Sequence, residues 1–145
     1  MITKLLIIYH SQTENTEAMA KAVYEGASLA GATVTMKKAA DATGNDLLSC
    51  DAVVFGTPNY FSYMAGAVKD FFDRTLYAVR GKVDNKPYTA FSSAGGGGRQ
   101  ALDSIDRACN SFRLRKAFEG VIATGKPSSD VLEQCKELGK KLAQL

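Results

Sequence analysis

The stretch "KLLIIYHSQTENT", Lys4 to Thr16, decides the fold. Its first part, Leu5–Tyr9, is an unbroken apolar run, as a strand covered on both faces requires. Its second part, Ser11–Thr16, is polar throughout, with hydroxyl and amide side chains, one carboxylate and no Lys, Arg or Gly. From Glu14 the spacing turns helical: Met19, Val23, Ala27 and Ala30 fall on one face. Gly31 stops that helix. A buried strand thus passes through a polar loop into an amphipathic helix.

The rest of the chain repeats the alternation. "ATVTMKKA" (32–39) is β-branched and alternating, the pattern of an edge strand. "AADATGN" reads as a loop, with Asn45 as the expected cap of a short turn, "DLLSC". "DAVVFGTP" (51–58) is a second buried strand, ended by Gly-Thr-Pro. Val68, Phe71, Phe72, Leu76 and Val79 form a helical stripe, with Lys69/Asp73 and Asp70/Arg74 as i,i+4 pairs on its polar side. "KPYTAFSS" (86–93) is a third central strand. After four glycines, Ala101, Leu102, Ile105, Ala108, Cys109 and Phe112 mark another helix. "FEGVIATG" (118–125) is the last strand. The last helix follows Pro127, with Ser128, Ser129 or Asp130 as cap and Val131 or Leu132, Cys135, Leu138, Leu142 and Leu145 as its buried face. Five strands alternating with four main helices make an α/β fold, a parallel sheet with helices on both faces. The order 2-1-3-4-5 fits, in one domain over residues 1–145.

Composition agrees. A chain of 145 residues, 46% apolar and 23% charged, can bury one core and is not disordered. Leu5–Tyr9 is far too short to span a membrane, and no cleavage pattern follows it, so a cytoplasmic protein is expected. Three Cys (50, 109, 135) without a Cys-x-x-Cys pair, and a single His, argue against structural zinc or a disulfide framework. The net charge of +3 is spread out. Its densest cluster, Arg113, Arg115 and Lys116, reads as a solvated helix end, and no nucleic-acid partner is expected.

In a sheet of this order, ligands bind beyond the carboxyl ends of the strands, at the switch point between the first and third. Three loops meet there: "HSQTENT" (10–16), "TPNYFSYM" (57–64) and "SSAGGGGRQ" (92–100). The first leads into a helix N-terminus, where free N–H groups and about half a unit of positive charge attract an anion. Ser11, Thr13 and Thr16 add hydroxyl donors. This suits a monophosphate held without a cationic side chain; a Walker-type Gly-Lys-Ser/Thr is absent. The same residues also suit a plain helix start capped by Asn15 or Thr13. The second loop carries Tyr60, Phe61 and Tyr63, rings that bury against a ligand, a second subunit or both. Gly95–Gly98 leave backbone N–H groups open to an approaching ring edge, or simply form a turn. Together the loops describe a pocket for a flat, polar-edged ring system bearing a phosphate.

The segments "IIYHSQTENTEAMAKAV", "DAVVFGTPNYFSYMAGAVKDFFDR" and "KPYTAFSSAGGGG" resemble the flavodoxin-like family. The middle one is most similar to its FMN-dependent NAD(P)H:quinone reductase branch. The resemblance implies a flavodoxin-like three-layer sandwich that binds FMN. It implies the phosphate on Ser11, Gln12, Thr13, Asn15 and Thr16, with Glu14 in the same loop. The isoalloxazine would lie among Pro58, Asn59, Tyr60, Phe61, Ser62 and Tyr63, with its pyrimidine edge at Ser93, Ala94, Gly95 and Gly96. The chain has Glu14 where flavodoxins commonly have Gly, and Phe-Ser-Tyr-Met (61–64) where the quinone-reductase branch commonly has Phe-Gly-Asn-Met.

Two other families share this topology. A receiver domain needs an Asp where this chain has Gly56-Thr57. A low-molecular-weight tyrosine phosphatase needs Cys-x5-Arg in the first loop; Cys109 and Arg115 have that spacing but lie on or beside a later helix. His10 beside the first loop either hydrogen-bonds there or packs. Two functions follow from the resemblance: an oxidoreductase moving electrons from NAD(P)H through FMN to a quinone or other small acceptor, or a non-enzymatic carrier moving single electrons between protein partners. Carriers of this kind are usually strongly acidic, so the charge of +3 favours the first. The aromatic loop is also the expected surface for a homodimer.

Overall fold

The computed structural model describes residues 1–145. In chain order the elements are β1 (Lys4–Tyr9), α1 (Asn15–Leu29), β2 (Thr33–Lys38), α2 (Gly44–Ser49), β3 (Ala52–Tyr60) and β4 (Tyr63–Met64). There follow α3 (Gly66–Val79), β5 (Pro87–Ala94), α4 (Arg99–Ser111), β6 (Arg115–Lys116), β7 (Val121–Thr124) and α5 (Ser129–Ala143). The sheet runs β2-β1-β3-β5-β6, with β7 also on β5 and β4 folded back on β3. Every pairing is parallel except that of β3 with β4. Because β6 and β7 both run beside β5, they occupy one fifth position, and the order 2-1-3-4-5 expected for the main strands is the one found.

The two-sided burial of β1 divides the core by strand periodicity. Leu5, Ile7 and Tyr9 join Ala52, Val54 and Phe91 beneath α1 and α5. Leu6 and Ile8 join Val53, Phe55, Tyr88 and Ala90 beneath α3 and α4. The α1–α5 pair is the tighter of the helix packings, for a reason the apolar stripe does not show. A Cβ on Gly26 would overlap the Lys136 carbonyl, and one on Gly139 would overlap that of Val23. The two helices are backbone against backbone at these reciprocal points.

Several boundaries differ from the sequence-based expectation. β3 does not end at Gly56-Thr57-Pro58 but continues to Tyr60. The cap of α2 is Thr43, not Asn45: its hydroxyl accepts from the Asp46 N–H at 3.2 Å while Asp46 accepts from the Thr43 N–H at 2.8 Å, a reciprocal capping box. The expected strand 118–125 is shorter and split from β6. In the gap the chain still follows β5, with the Ala117 N–H on the Tyr88 carbonyl at 2.8 Å and the Thr89 hydroxyl on the Phe118 carbonyl at 3.0 Å. Leu145, expected on the buried face of the last helix, is exposed beyond its end. Ser128 is the cap of α5, accepting from the Val131 N–H at 3.2 Å.

Candidate functional site

The chain leaves β2 on one side of β1 and enters β3 on the other, so the carboxyl ends of β1 and β3 open a crevice between diverging loops. A cleft of about 200 Å³ lies there, lined by Gln12, Thr13, Asn15, Thr16, Pro58, Asn59, Tyr60, Ser93, Ala94, Gly95 and Gly125. All three expected loops contribute to it. Larger hollows of about 350 and 410 Å³ lie along the α1–α5 groove and on α5; two more, of about 270 and 490 Å³, lie one beside Lys4, Thr33 and Cys50, the other between Arg80 and Arg113. The latter two sit at the opposite, amino edge of the strands, where helices end rather than begin, so neither offers converging N–H groups.

The first loop delivers donors. Gln12, Thr13 and Glu14 precede α1, and their N–H groups, with those of Asn15 and Thr16 in its first turn, find no acceptor within the protein. Ser11 is outside the lining; its hydroxyl instead accepts from the Glu17 N–H at 3.3 Å and closes the first turn. Thr16 is buried, and its Oγ1 lies 2.7 Å from Ser93 Oγ, tying this loop to the end of β5. Glu14 occupies the cap position with φ 73°, a left-handed backbone, and makes no capping bond with its side chain. That corrects the expectation of Asn15 or Thr13 as the cap. Glu14 is exposed and outside the cleft lining.

The second loop is a hairpin. β3 and β4 pair Asn59 with Met64 and Tyr60 with Tyr63, so Phe61 and Ser62 alone make the turn. Their φ values, 52° and 61°, are both positive, as in a type I′ turn. Asn-Gly usually fills such a turn; here a Phe and a Ser are held in it from outside. The Ala65 N–H donates to Thr57 Oγ1 at 2.8 Å and the Met64 N–H to Ser104 Oγ at 3.0 Å. Tyr60 lies edge-on to His10, ring centroids 6.0 Å apart, so the histidine packs on the cleft's aromatic wall. Burial pushes the Tyr60 hydroxyl above its ordinary value, keeping the phenol neutral. Phe61, Ser62 and Tyr63 stand at the tip, outside the lining, with Phe61 wholly exposed. Within the cleft, Asn59 Oδ1 is buried and has no hydrogen-bond partner, an acceptor aimed at a donor the protein itself does not supply.

In the third loop Ser93, Ala94 and Gly95 reach the cleft, and Gly96 does not. Added Cβ atoms at Gly95 or Gly96 meet nothing, so these positions are open to a ligand from the solvent side. The glycine the protein itself needs is Gly98. It caps α4 with φ 108°, and a Cβ there would stand 2.7 Å from Ile122 Cγ2. Gly125, absent from the sequence-based site, also lines the cleft. Its N–H donates to the Ala94 carbonyl at 2.7 Å. Its place at the end of the last strand was the available signal, since β1, β3, β5 and β7 all run toward this edge.

Residues 27–119 match the family model described as NADPH-dependent FMN reductase. The chain belongs to the flavodoxin-like, FMN-binding family. FMN is the cofactor that family membership assigns to it. Among relatives of this family member, a flavodoxin of Aquifex aeolicus (strain VF5) is 35% identical, covering 97% of this chain and 85% of its own. An NAD(P)H dehydrogenase (quinone) 3 of Rhizobium meliloti (strain 1021) is 37% identical, covering 65% of this chain and 54% of its own. Among solved structures, a Megasphaera elsdenii flavodoxin superposes with a TM-score of 0.83 at 27% identity, over 97% of this chain and 99% of that one. No helix is long and apolar enough to cross a membrane.

Proposed function

We propose that residues 1–145 form a single cytoplasmic FMN-dependent oxidoreductase domain that passes electrons from NAD(P)H to a quinone or other small acceptor. The observation that carries this is the neutrality of two of the three loops around the cleft. From Pro58 to Val68, and again from Ser93 to Gly98, no side chain is charged. These loops admit a flat, uncharged ring; the one exposed carboxylate of the first loop, Glu14, is no collar of charge for recognising an oppositely charged protein. The match to an NADPH-dependent reductase family and the quinone dehydrogenase relative support the same assignment.

The residues present fit FMN. The free N–H groups of the first loop, with the Thr13 and Thr16 hydroxyls, suit a dianionic phosphate at a helix N-terminus. Pro58, Asn59 and Tyr60 would hold the ring system, and the unpaired Asn59 Oδ1 would accept from an N–H on its polar edge. Ser93, Ala94 and Gly95 would meet the remaining edge through the backbone. Bound FMN supplies two-electron acceptance and donation. The protein's part is to orient it, to keep neutral groups such as the Tyr60 phenol beside it, and to leave one face open through the hairpin tip. No side chain need act as acid or base.

A second reading, a single-electron carrier between proteins, is favoured by the extent of the match to the Aquifex flavodoxin. One assay separates them. Steady consumption of NAD(P)H by the purified FMN-loaded protein with a benzoquinone is the expected result. No consumption with any quinone, alongside rapid one-electron reduction by a flavodoxin reductase, would establish the carrier instead.

A further inference from the structure

Glu14 is out of character with its loop. A bulky residue with positive φ is uncommon, and its carboxylate is exposed, caps nothing and pairs with no cation. Between Leu5 and Ala20 there is no Lys or Arg, and Glu17 is the only other charged residue. Glu17 at least has Lys21 at 3.9 Å. The charge at Glu14 therefore stands uncompensated, outside the cleft lining but on the cap residue of a helix start with free N–H groups.

We propose that Glu14 sets the affinity for FMN, as a resident anion that competes with the FMN phosphate for the positive end of α1. This rests on the phosphate placement proposed above. The helix end stabilises any nearby anion within its first turn. A carboxylate on the cap residue is within roughly 10 Å of every N–H in Gln12–Thr16, because one residue spans at most about 3.5 Å. A phosphate dianion bound by those groups and the Glu14 carboxylate therefore repel. Across about 10 Å of water one carboxylate lowers the affinity for a dianion about threefold at low ionic strength. Salt removes the effect, since the screening length falls from about 30 Å at 0.01 M to about 3 Å at 1 M. A phosphate site built on Lys or Arg behaves oppositely and weakens with salt. Glu14 thus narrows the preference for FMN over riboflavin and makes retention of the flavin depend more on its ring than on its phosphate.

The test is a fluorescence titration of flavin-stripped wild type, Glu14→Gln and Glu14→Lys with FMN and with riboflavin, at low and high salt. The side chain is exposed, and thermal melts check that all three fold. FMN is expected to bind about threefold tighter to Glu14→Gln and about tenfold tighter to Glu14→Lys at 0.01 M salt. Riboflavin affinity should stay constant, and the differences should close near 1 M. If wild type prefers FMN but neither substitution tightens it, the phosphate placement stands and the role of Glu14 falls. If riboflavin tightens equally, the effect is not on the phosphate and the inference is overturned. If FMN and riboflavin bind all three proteins alike, the placement and the inference fall together.

Discussion

Removing the Thr16 hydroxyl tests whether the first and third loops act as one unit. Thr16 Oγ1 and Ser93 Oγ lie 2.7 Å apart, and the two residues are only 2% and 5% exposed. Thr16→Val keeps the volume and deletes the polar atom. A buried hydrogen bond contributes only about 1 kcal/mol net, but stranding its partner costs about 1–3 kcal/mol. Thr16→Val should therefore destabilise by about 2 kcal/mol, through the orphaned Ser93 hydroxyl. Ser93→Ala should cost a similar amount by orphaning Thr16. The double variant removes both polar atoms, so it should cost less than the two singles combined, with a coupling of about 1 kcal/mol. For a chain of this length each kcal/mol moves Tm by roughly 3 °C, so each single variant should melt about 6 °C low.

The assay is urea unfolding of the flavin-free protein, wild type with both singles and the double, at constant m-value. A change in m would mean an altered unfolded state rather than a lost bond. Additivity within about 0.3 kcal/mol would refute the reasoning, because independent sites add. So would a Thr16→Val cost below about 0.5 kcal/mol, since the buried bond would then not hold in solution. The same bond joins the loop proposed to hold the phosphate to the loop proposed to hold a ring edge, so a refutation would also remove the physical link between those two halves of the site.

Gly26→Ala should destabilise by about 2–3 kcal/mol, read as a fall in urea midpoint, because its Cβ would overlap the Lys136 carbonyl and α1 and α5 must separate. Ser62→Gly should raise Tm slightly, by relieving a φ of 61° at a cost of about 1–2 kcal/mol in a residue with a Cβ, set against about 0.4–1 kcal/mol of added unfolded-state freedom. A lower Tm would mean that the turn is not left-handed in solution. Burial alone would raise the Asp46 pKa, but the hydrogen bond from Lys37 and those from the Thr43 N–H and hydroxyl override it and hold it below the ordinary value of an Asp carboxyl. A depressed folded pKa contributes stability that is present above the ordinary value and lost as pH falls through the folded one. The Tm gap between wild type and Asp46→Asn should therefore be open at pH 7 and close progressively below about pH 4.

What was legible in the sequence was whatever periodicity or an unbroken apolar run encodes. β1 and β3 announce themselves because a strand covered on both faces can carry only apolar side chains, and the loops at their carboxyl ends follow from parallel topology. The hairpin at Phe61-Ser62 was not legible. Its turn lacks the Asn-Gly that would normally reveal it, because the conformation is imposed by Thr57 and by Ser104, a residue 40 positions further on. Nor was the start of α1 legible, where a left-handed cap would be expected to be Gly and is Glu14. Gly26 and Gly139 look like defects in their helical stripes and are instead the points where two backbones touch. At the hairpin and at the two glycines the local signal was overruled by a contact distant in sequence. Two of the three departures lie on the loops around the cleft, and backbone held in sparsely populated conformations concentrates where a ligand must be met. The departure at Glu14 therefore argues for function at that position more strongly than a well-formed helix cap would, and its charge is the part of it that a titration can weigh.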